Sequence, residues 1–244
     1  MNLLASLRAG IIPMRRLVRR LGLDVQRKQP VLTDLLRSHG VGTVLDVGAN
    51  VGQYGERLRR WGYRGWIVSF EPLREACEAL RGRAAADARW DVQAFALGDH
   101  DGTATLNVSE MPVFSSLLPG KPELYSTFAN ARAIRTDAIA VHRLDSIFDA
   151  LPRADGAVFL KIDTQGYERQ VIEGAAASLR LIEGVQVELS VTPLYEGEST
   201  LLDMVRLLED RGFGIELIEP AAFDPRSLAL LQVDCTFFRR RAAS

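Results

Sequence analysis

From residue 30 onward the apolar positions switch between two spacings. Segments 30–39, 53–61, 73–83, 167–180 and 199–211 place apolar side chains three or four residues apart, the period of a helix buried on one side. Between them lie short apolar runs at 43–47, 66–70, 91–96, 157–163 and 184–190, which are predicted as strands. Strands separated by helices of this length join through right-handed parallel crossovers. The rhythm breaks in the middle. Thr103–Val108 and Asp137–His142 alternate like short strands, and the polar stretch 109–136 between them has too little periodicity for core and is predicted as a long loop. The chain closes with two strands, 213–218 and 231–238. The twelve or so residues between them include Pro220 and Pro225 and leave no room for a crossover helix, so these strands pair antiparallel. The pattern predicts an α/β fold, mostly parallel, closed by an antiparallel hairpin.

Residues 1–29 stand apart from this domain, which spans 30–244. Seven basic side chains (Arg8, Arg15, Arg16, Arg19, Arg20, Arg27 and Lys28) face one acid, Asp24. Leu3, Leu4, Leu7, Ile11 and Ile12 form a helical stripe that Pro13 interrupts and Leu17, Val18 and Leu21 resume. Such a basic helical arm packs on its own domain or on the partner in a homodimer. A lid over an acceptor and a helix resting on a membrane surface are the other readings.

Composition narrows the class. The 244 residues, 47% hydrophobic and 25% charged, suit one soluble α/β domain with an extension. A net charge of −1 supplies no global field for nucleic acid. Cys77 and Cys235 lie far apart, which argues for a reducing cytoplasm rather than a disulfide framework. Three histidines and two cysteines in no tight cluster argue against structural zinc. No run approaches the ~18 apolar residues of a membrane span, and the N-terminus lacks a compact apolar core with a cleavage site.

The most informative stretch is Val44-Leu45-Asp46-Val47-Gly48-Ala49-Asn50-Val51-Gly52-Gln53-Tyr54-Gly55. A strand ending in an acid, a glycine turn and a helix N-terminus form a nucleotide-cofactor site. The spacing is D-x-G-x-x-x-G rather than G-x-G-x-x-G. An acid beside the turn repels a pyrophosphate and suits an ammonium group, which points to a cofactor with an amino-acid tail. Gly48 and Gly52 are expected to clear space for it, Asn50 to take a left-handed turn or donate a hydrogen bond, and Gln53 and Tyr54 to open the helix that follows. Glu71 ends the second strand and is followed by Pro72, in the place where an acid accepts both ribose hydroxyls. Pro72 equally suits a first helical position. Ala96 and Leu97 are candidates for an adenine wall. Asp163 sits at a strand's carboxyl end, where open α/β sheets bind ligands, and Glu188 is a charge in an otherwise apolar strand. Glu168 reads as dipole compensation at a helix start.

These motifs resemble the FkbM family of S-adenosylmethionine-dependent methyltransferases. The likeness is carried by LDVGANVGQYG at 45–55, SFEP at 69–72 with ALGDHDG at 96–102, and LKIDTQGYERQVIEGA at 160–175; SSL at 115–117 and LDSI at 144–147 are similar to its middle region. It covers about residues 30–238. The resemblance implies a Rossmann-like class I methyltransferase with a seven-stranded sheet whose final strand is antiparallel. It implies that the turn 46–52 holds the methionine part of S-adenosyl-L-methionine, that Glu71 binds the ribose, and that Ala96 and Leu97 lie near adenine. Acceptors in the family are typically hydroxyls of sugars or other secondary metabolites.

Methyl transfer from a sulfonium is an in-line displacement and mainly a positioning task. A sugar hydroxyl is a weak nucleophile, so a base helps by ~10²–10⁴-fold. His142, Asp163 and Glu188 are the candidates; His142 has the right intrinsic pKa but is also placed as a solvent-facing strand residue. A divalent metal such as magnesium on Asp163 and Glu188 is the alternative route to a more acidic hydroxyl. Loop 109–136, with Met111, Phe114, Tyr125 and Phe128, is the candidate lid or acceptor wall, and Tyr195 and Glu196 are candidates to reach the acceptor. The expected activity is O-methylation of a sugar, polysaccharide or glycolipid. Competing readings are a non-sugar metabolite, a catalytically silent binding protein, and a nicotinamide oxidoreductase, for which the missing G-x-G-x-x-G and the terminal hairpin are wrong.

Overall fold

The computed structural model describes residues 31–240, and the arm expected over 1–29 lies outside the described residues. In chain order, α1 (Leu32–Ser38) leads into β1 (Val41–Val47), α2 (Gln53–Arg60) into β2 (Trp66–Phe70), and α3 (Arg74–Ala84) into β3 (Trp90–Gln93). A middle section follows: β4 (Ala96–Leu97), β5 (Gly102–Ser109), α4 (Pro122–Thr127), β6 (Ala133–His142) and α5 (Leu144–Ile147). The chain then makes β7 (Ala157–Ile162), α6 (Glu168–Gly174), β8 (Ile182–Ser190), α7 (Leu201–Glu209), β9 (Phe213–Phe223) and β10 (Leu230–Arg239).

Seven strands form the main sheet in the order β3-β2-β1-β7-β8-β10-β9. β10 pairs antiparallel with both its neighbours; the other pairings are parallel, as the sequence predicts. The strand order reverses between β1 and β7, where Val47 pairs with Ile162. Two strand tips thus meet at the switch point where α/β sheets bind ligands. Both sheet faces are covered, so the strands are apolar on both sides. Leu45, Leu160, Val185 and Phe237 pack on one face, Val44, Phe159, Ile67 and Phe238 on the other. Asp46 and Lys161 interrupt that apolar pattern near the strand ends.

Several boundaries move for physical reasons. The strand expected over 91–96 divides. The chain leaves the main sheet after Gln93, and Ala96 and Leu97 pair with Val141 and His142 in a second, three-stranded sheet of order β4-β6-β5. β5 and β6 are longer than expected and pair antiparallel from Gly102↔Val141 to Ser109↔Ala133. Their apolar faces cover Leu73 and Ala76 at the start of α3. Segment 109–136 is not a bare loop. It holds single 3-10 turns at Pro112–Phe114 and Ala129–Ala131 besides α4, and it buries Leu124 and Ala131 against Leu194 and Tyr195. Those apolar groups are too scattered to show a period. The helix expected to reach residue 180 stops at Gly174, where a Cβ would lie 1.8 Å from the carbonyl oxygen of Gly98. Asp145 then accepts the N–H groups of Ala177 and Ser178. Pro220 lies inside β9, an edge strand, where a missing donor does no harm.

Candidate active site

The turn after β1 is built by chain passing close to chain. Gly48 has φ 74°, and a Cβ there would sit 1.8 Å from the backbone oxygen of Asp163. Gly52 has φ 92°, and its Cβ would meet Leu80 at 2.6 Å. Both glycines are therefore demanded by the protein's own packing, and Gly48 also lines the cleft above the turn while Gly52 does not. Asn50 takes the left-handed conformation at φ 48°. Its N–H donates to Glu71 Oε2 at 2.8 Å, while the N–H of Leu73 donates to Oε1 at 2.8 Å. Glu71 is thus pinned at the tip of β2. Pro72 precedes the helix rather than starting it, since α3 begins at Arg74.

A cleft of ≈ 310 Å³ opens over these tips. Gly48, Asn50, Gln53, Glu71 and Pro72 line it on one side. Ala96 and Leu97, joined by Leu106 and Ile139 of the second sheet, give it an apolar wall. Pro112–Leu117 roof it, and Asp163, Gln165, Glu188 and Gln232 form a polar end. An apolar slot with one carboxylate at its rim, beside a polar end, fits a nucleoside carrying a charged tail. Asp46, Gly52, Tyr54 and His142 do not line this cleft.

Asp46 is fully buried, with Lys161 Nζ 3.2 Å from its Oδ1. Ser69 Oγ donates to its Oδ2 at 3.3 Å. Lys161 Nζ also lies 3.4 Å from Asp163 Oδ2 and donates to the Gly48 carbonyl at 3.4 Å. Burial pulls the lysine's pKa down, but Asp46 and Asp163 more than reverse this, so the proton stays on nitrogen. The ammonium that Asp46 holds is thus the protein's own. Tyr54 faces the same place: its hydroxyl donates to Gln186 at 2.9 Å, and Lys161 lies 5.2 Å from its ring centre.

At the polar end, the Gln165 amide nitrogen donates to Asp163 Oδ1 at 3.0 Å and to Glu188 Oε2 at 2.7 Å. Gln232 donates to the same Glu188 oxygen at 2.8 Å. Gln165 has φ 57°, a left-handed conformation that side chains avoid without cause. The Tyr195 hydroxyl lies 3.0 Å from Gln165 Oε1 and 3.2 Å from the Phe114 carbonyl, and Ser116 Oγ donates to the Gln165 carbonyl at 2.6 Å. The roof is thus fastened to the turn that carries the acids. Tyr195 is buried and acts through Gln165 rather than lining the cleft. Glu196 donates its N–H to the Pro119 carbonyl. Glu168 closes the same turn by accepting the N–H groups of Thr164 and Gly166 at 2.9 and 3.0 Å, a more specific task than dipole compensation.

The magnesium expected on Asp163 and Glu188 does not fit this donor set. The Gln165 amide takes the point between the two carboxylates, and Lys161 already supplies a cation to Asp163. Among the described residues no group of three or more His, Cys, Asp or Glu is placed to hold a metal ion. His142 is also not brought to the acids. Strand alternation turns Val141 inward and His142 outward, with Nδ1 3.4 Å from Asp101 and its ring edge-on to Phe95.

Burial raises Glu71 and Glu168 to about 7 and Asp234 to about 6 against their ordinary values of 4.5 and 3.8. Carboxyls raised in the fold bind more protons folded than unfolded between those values. Stability from these groups is therefore present at low pH and lost as pH rises. The ligand-free protein is expected to melt at progressively lower temperature as pH goes from 4.5 to about 7, read by a thermal melt series. For ligand binding the sign is expected to reverse, because a Glu71 that accepts two ribose hydroxyls does so in its ionised form. Affinity for S-adenosylhomocysteine should rise as pH rises through about 7. Glu71→Gln should weaken it about tenfold to a hundredfold and flatten that slope. Calorimetry across the pH range checks this, and a flat wild-type profile contradicts the role.

Sequence reasoning missed Lys161, Gln165, Gln232 and the wall residues Leu106 and Ile139. The signal for Lys161 was present, a lysine inside an apolar strand. The two glutamines gave none, since an uncharged amide in a loop or strand marks no chemistry by itself.

A family profile described as "Methyltransferase FkbM domain" matches residues 46–215, more than half of the chain. Methyltransferase sdnD of Sordaria araneosa is 27% identical over 199 residues, covering 70% of this chain and 73% of that protein. Among solved structures, an rRNA methylase from Streptococcus thermophilus aligns over 89% of this chain and 100% of its own at 10% identity and a TM-score of 0.49. Sp1610 of Streptococcus pneumoniae, a putative tRNA (m1A22) methyltransferase in complex with S-adenosyl-L-methionine, aligns over 86% and 73% at 12% identity and a TM-score of 0.47. These structural likenesses are too distant to carry any inference about an acceptor. The family match spans the elements that build the cleft, from Asp46 at the tip of β1 through the acid turn after β7 to the start of β9. The chain belongs to the FkbM family of S-adenosylmethionine-dependent methyltransferases.

Proposed function

We propose that the protein methylates a hydroxyl oxygen of a sugar, borne by a free sugar, a polysaccharide or a glycolipid. The observation that supports this reading is the polar end of the cleft, where two carboxylates and two side-chain amides converge. Such groups recognise hydroxyls, and a carboxylate among them accepts the hydroxyl's proton. When bound, S-adenosylmethionine supplies an electrophilic methyl group. The chain's own residues do the rest. Glu71 and the wall of Ala96, Leu97, Leu106 and Ile139 fit the nucleoside, and Pro112–Leu117 exclude water. Glu188 takes the acceptor's proton as the oxygen–carbon bond forms. Burial first, and then Asp163, raise its carboxyl well above the usual range, which suits it to accept a proton. The Lys161 ammonium nearby favours its ionised form.

The test is incubation with methyl-labelled S-adenosylmethionine and a panel of pyranosides, polysaccharide and glycolipid fractions, phenols and amines, with mass analysis of the products. Transfer to a sugar hydroxyl that persists in excess chelator is expected. Transfer confined to nitrogen, carbon or phenolic oxygen overturns the reading, as does binding of S-adenosylhomocysteine with no transfer to any fraction.

A further inference from the structure

Beside the cleft lies a second chamber of ≈ 480 Å³ that the nucleoside reading leaves unused. It shares Gly48, Gln53, Asp163 and Glu188 with the cleft, so the two spaces meet at the acid end. Its other wall differs in chemistry. The exposed side of α2 contributes Arg57 and Arg60, and the terminal hairpin contributes Asp234.

Neither guanidinium makes a hydrogen bond or ion pair with another described residue. Arg57 is nonetheless held in place: its guanidinium carbon lies 5.3 Å from the ring centre of Tyr54 and 5.4 Å from that of Trp61. Stacking on aromatic rings occupies the faces of a guanidinium and leaves its N–H edges for an anion. The acids of the chamber are mostly engaged. Glu56 faces Arg83 at 3.5 Å, Asp163 faces Lys161 at 3.4 Å, and Glu188 accepts two amides. Asp234 remains, against two arginines. The chamber therefore runs from a negative inner end at Asp163 and Glu188 to a positive outer end on α2.

We propose that this chamber is an anion subsite of the methyl-transfer centre, in which Arg57 and Arg60 grip a carboxylate or phosphate of the ligand whose other end reaches Asp163 and Glu188. The inference rests on the assignment of the adjoining cleft to the methyl donor. The anion has two sources: the α-carboxylate of the donor, whose ammonium then meets Asp163, or an acidic group on the acceptor. Lysine does not reproduce the forked donor, so charge alone is not the requirement.

Calorimetry separates the cases. S-adenosylhomocysteine and 5′-methylthioadenosine, which lacks the amino-acid part, are titrated into the wild type and the Arg57→Gln/Arg60→Gln double variant. D-glucuronate and D-glucose are then titrated into the S-adenosylhomocysteine complexes. If the donor's carboxylate is the anion, the double variant binds S-adenosylhomocysteine about tenfold to a hundredfold more weakly and 5′-methylthioadenosine as before, which also shows that it folds. If the acceptor carries the anion, both nucleosides bind unchanged, and the wild type's preference for glucuronate over glucose disappears in the variant. Unchanged nucleoside binding with no lost glucuronate preference overturns the proposal, as does equal weakening of both nucleosides. A wild type that binds neither nucleoside overturns the reading of the cleft, and this inference with it.

Discussion

Lys161→Met is expected to destabilise the protein by about 3–5 kcal/mol, the range seen when one partner of a buried ion pair is removed. Methionine has a similar length and leaves little cavity, so the loss is electrostatic. Asp46 is 0% exposed, and Lys161 is the cation that faces it. Without it, a fully buried carboxylate must either lose its charge or remain uncompensated. The same ammonium reaches the Gly48 carbonyl and Asp163, and through them it ties the turn after β1 to the end of β7. Affinity for S-adenosylhomocysteine should therefore fall together with stability. Chemical denaturation measures the first effect. The Asp46→Asn/Lys161→Met double variant should recover much of the loss, because both buried charges are then gone. A single-variant loss under about 1 kcal/mol would mean that the pair carries no such weight.

Glu188→Gln should lower turnover on the true acceptor by ~10²–10⁴-fold while leaving S-adenosylhomocysteine affinity close to wild type. The amide keeps the size and polarity of the side chain but cannot take a proton from a hydroxyl. Gln165 and Gln232 hold the carboxylate from two sides, so its position is fixed before any acceptor arrives. Loss in kcat with an unchanged KM is the signature of a group acting in the transition state. His142→Ala is the matched control, with turnover expected to be unchanged because that ring lies outside the cleft beside Asp101. Wild-type turnover in Glu188→Gln would move the base to Asp163.

The chain's own pattern was enough for the architecture. Short apolar runs separated by one-sided helices can bury their surface only as a parallel sheet covered on both faces. The short connection after residue 218 forces the final strand to run antiparallel, as β10 does. The glycine turn and Glu71 are local, because strand, turn and following helix are consecutive in sequence, and their spacing alone implied a nucleoside cofactor. What had no period was misjudged. Segment 109–136 folds over Leu194 and Tyr195, and the strand predicted over 91–96 breaks so that Ala96 and Leu97 join a second sheet.

The roles within the site were decided by tertiary contact. Asp46 and Lys161 are 115 positions apart in sequence, and only the neighbouring of β1 and β7 makes them a pair. Gly48 is required by the close approach of the Asp163 backbone, a contact between strands far apart in sequence. Gln165 and Gln232 carry no charge to attract notice, yet sheet order places both on one oxygen of Glu188. His142 lies on the face of its strand turned away from the cleft, because a strand's two faces are set by what packs on them. Local sequence thus determined the fold class and the glycine turn at the tip of β1. Which acid is poised as the base, and whether a cation already neutralises its neighbour, depends on distances between strands that no single stretch of sequence contains.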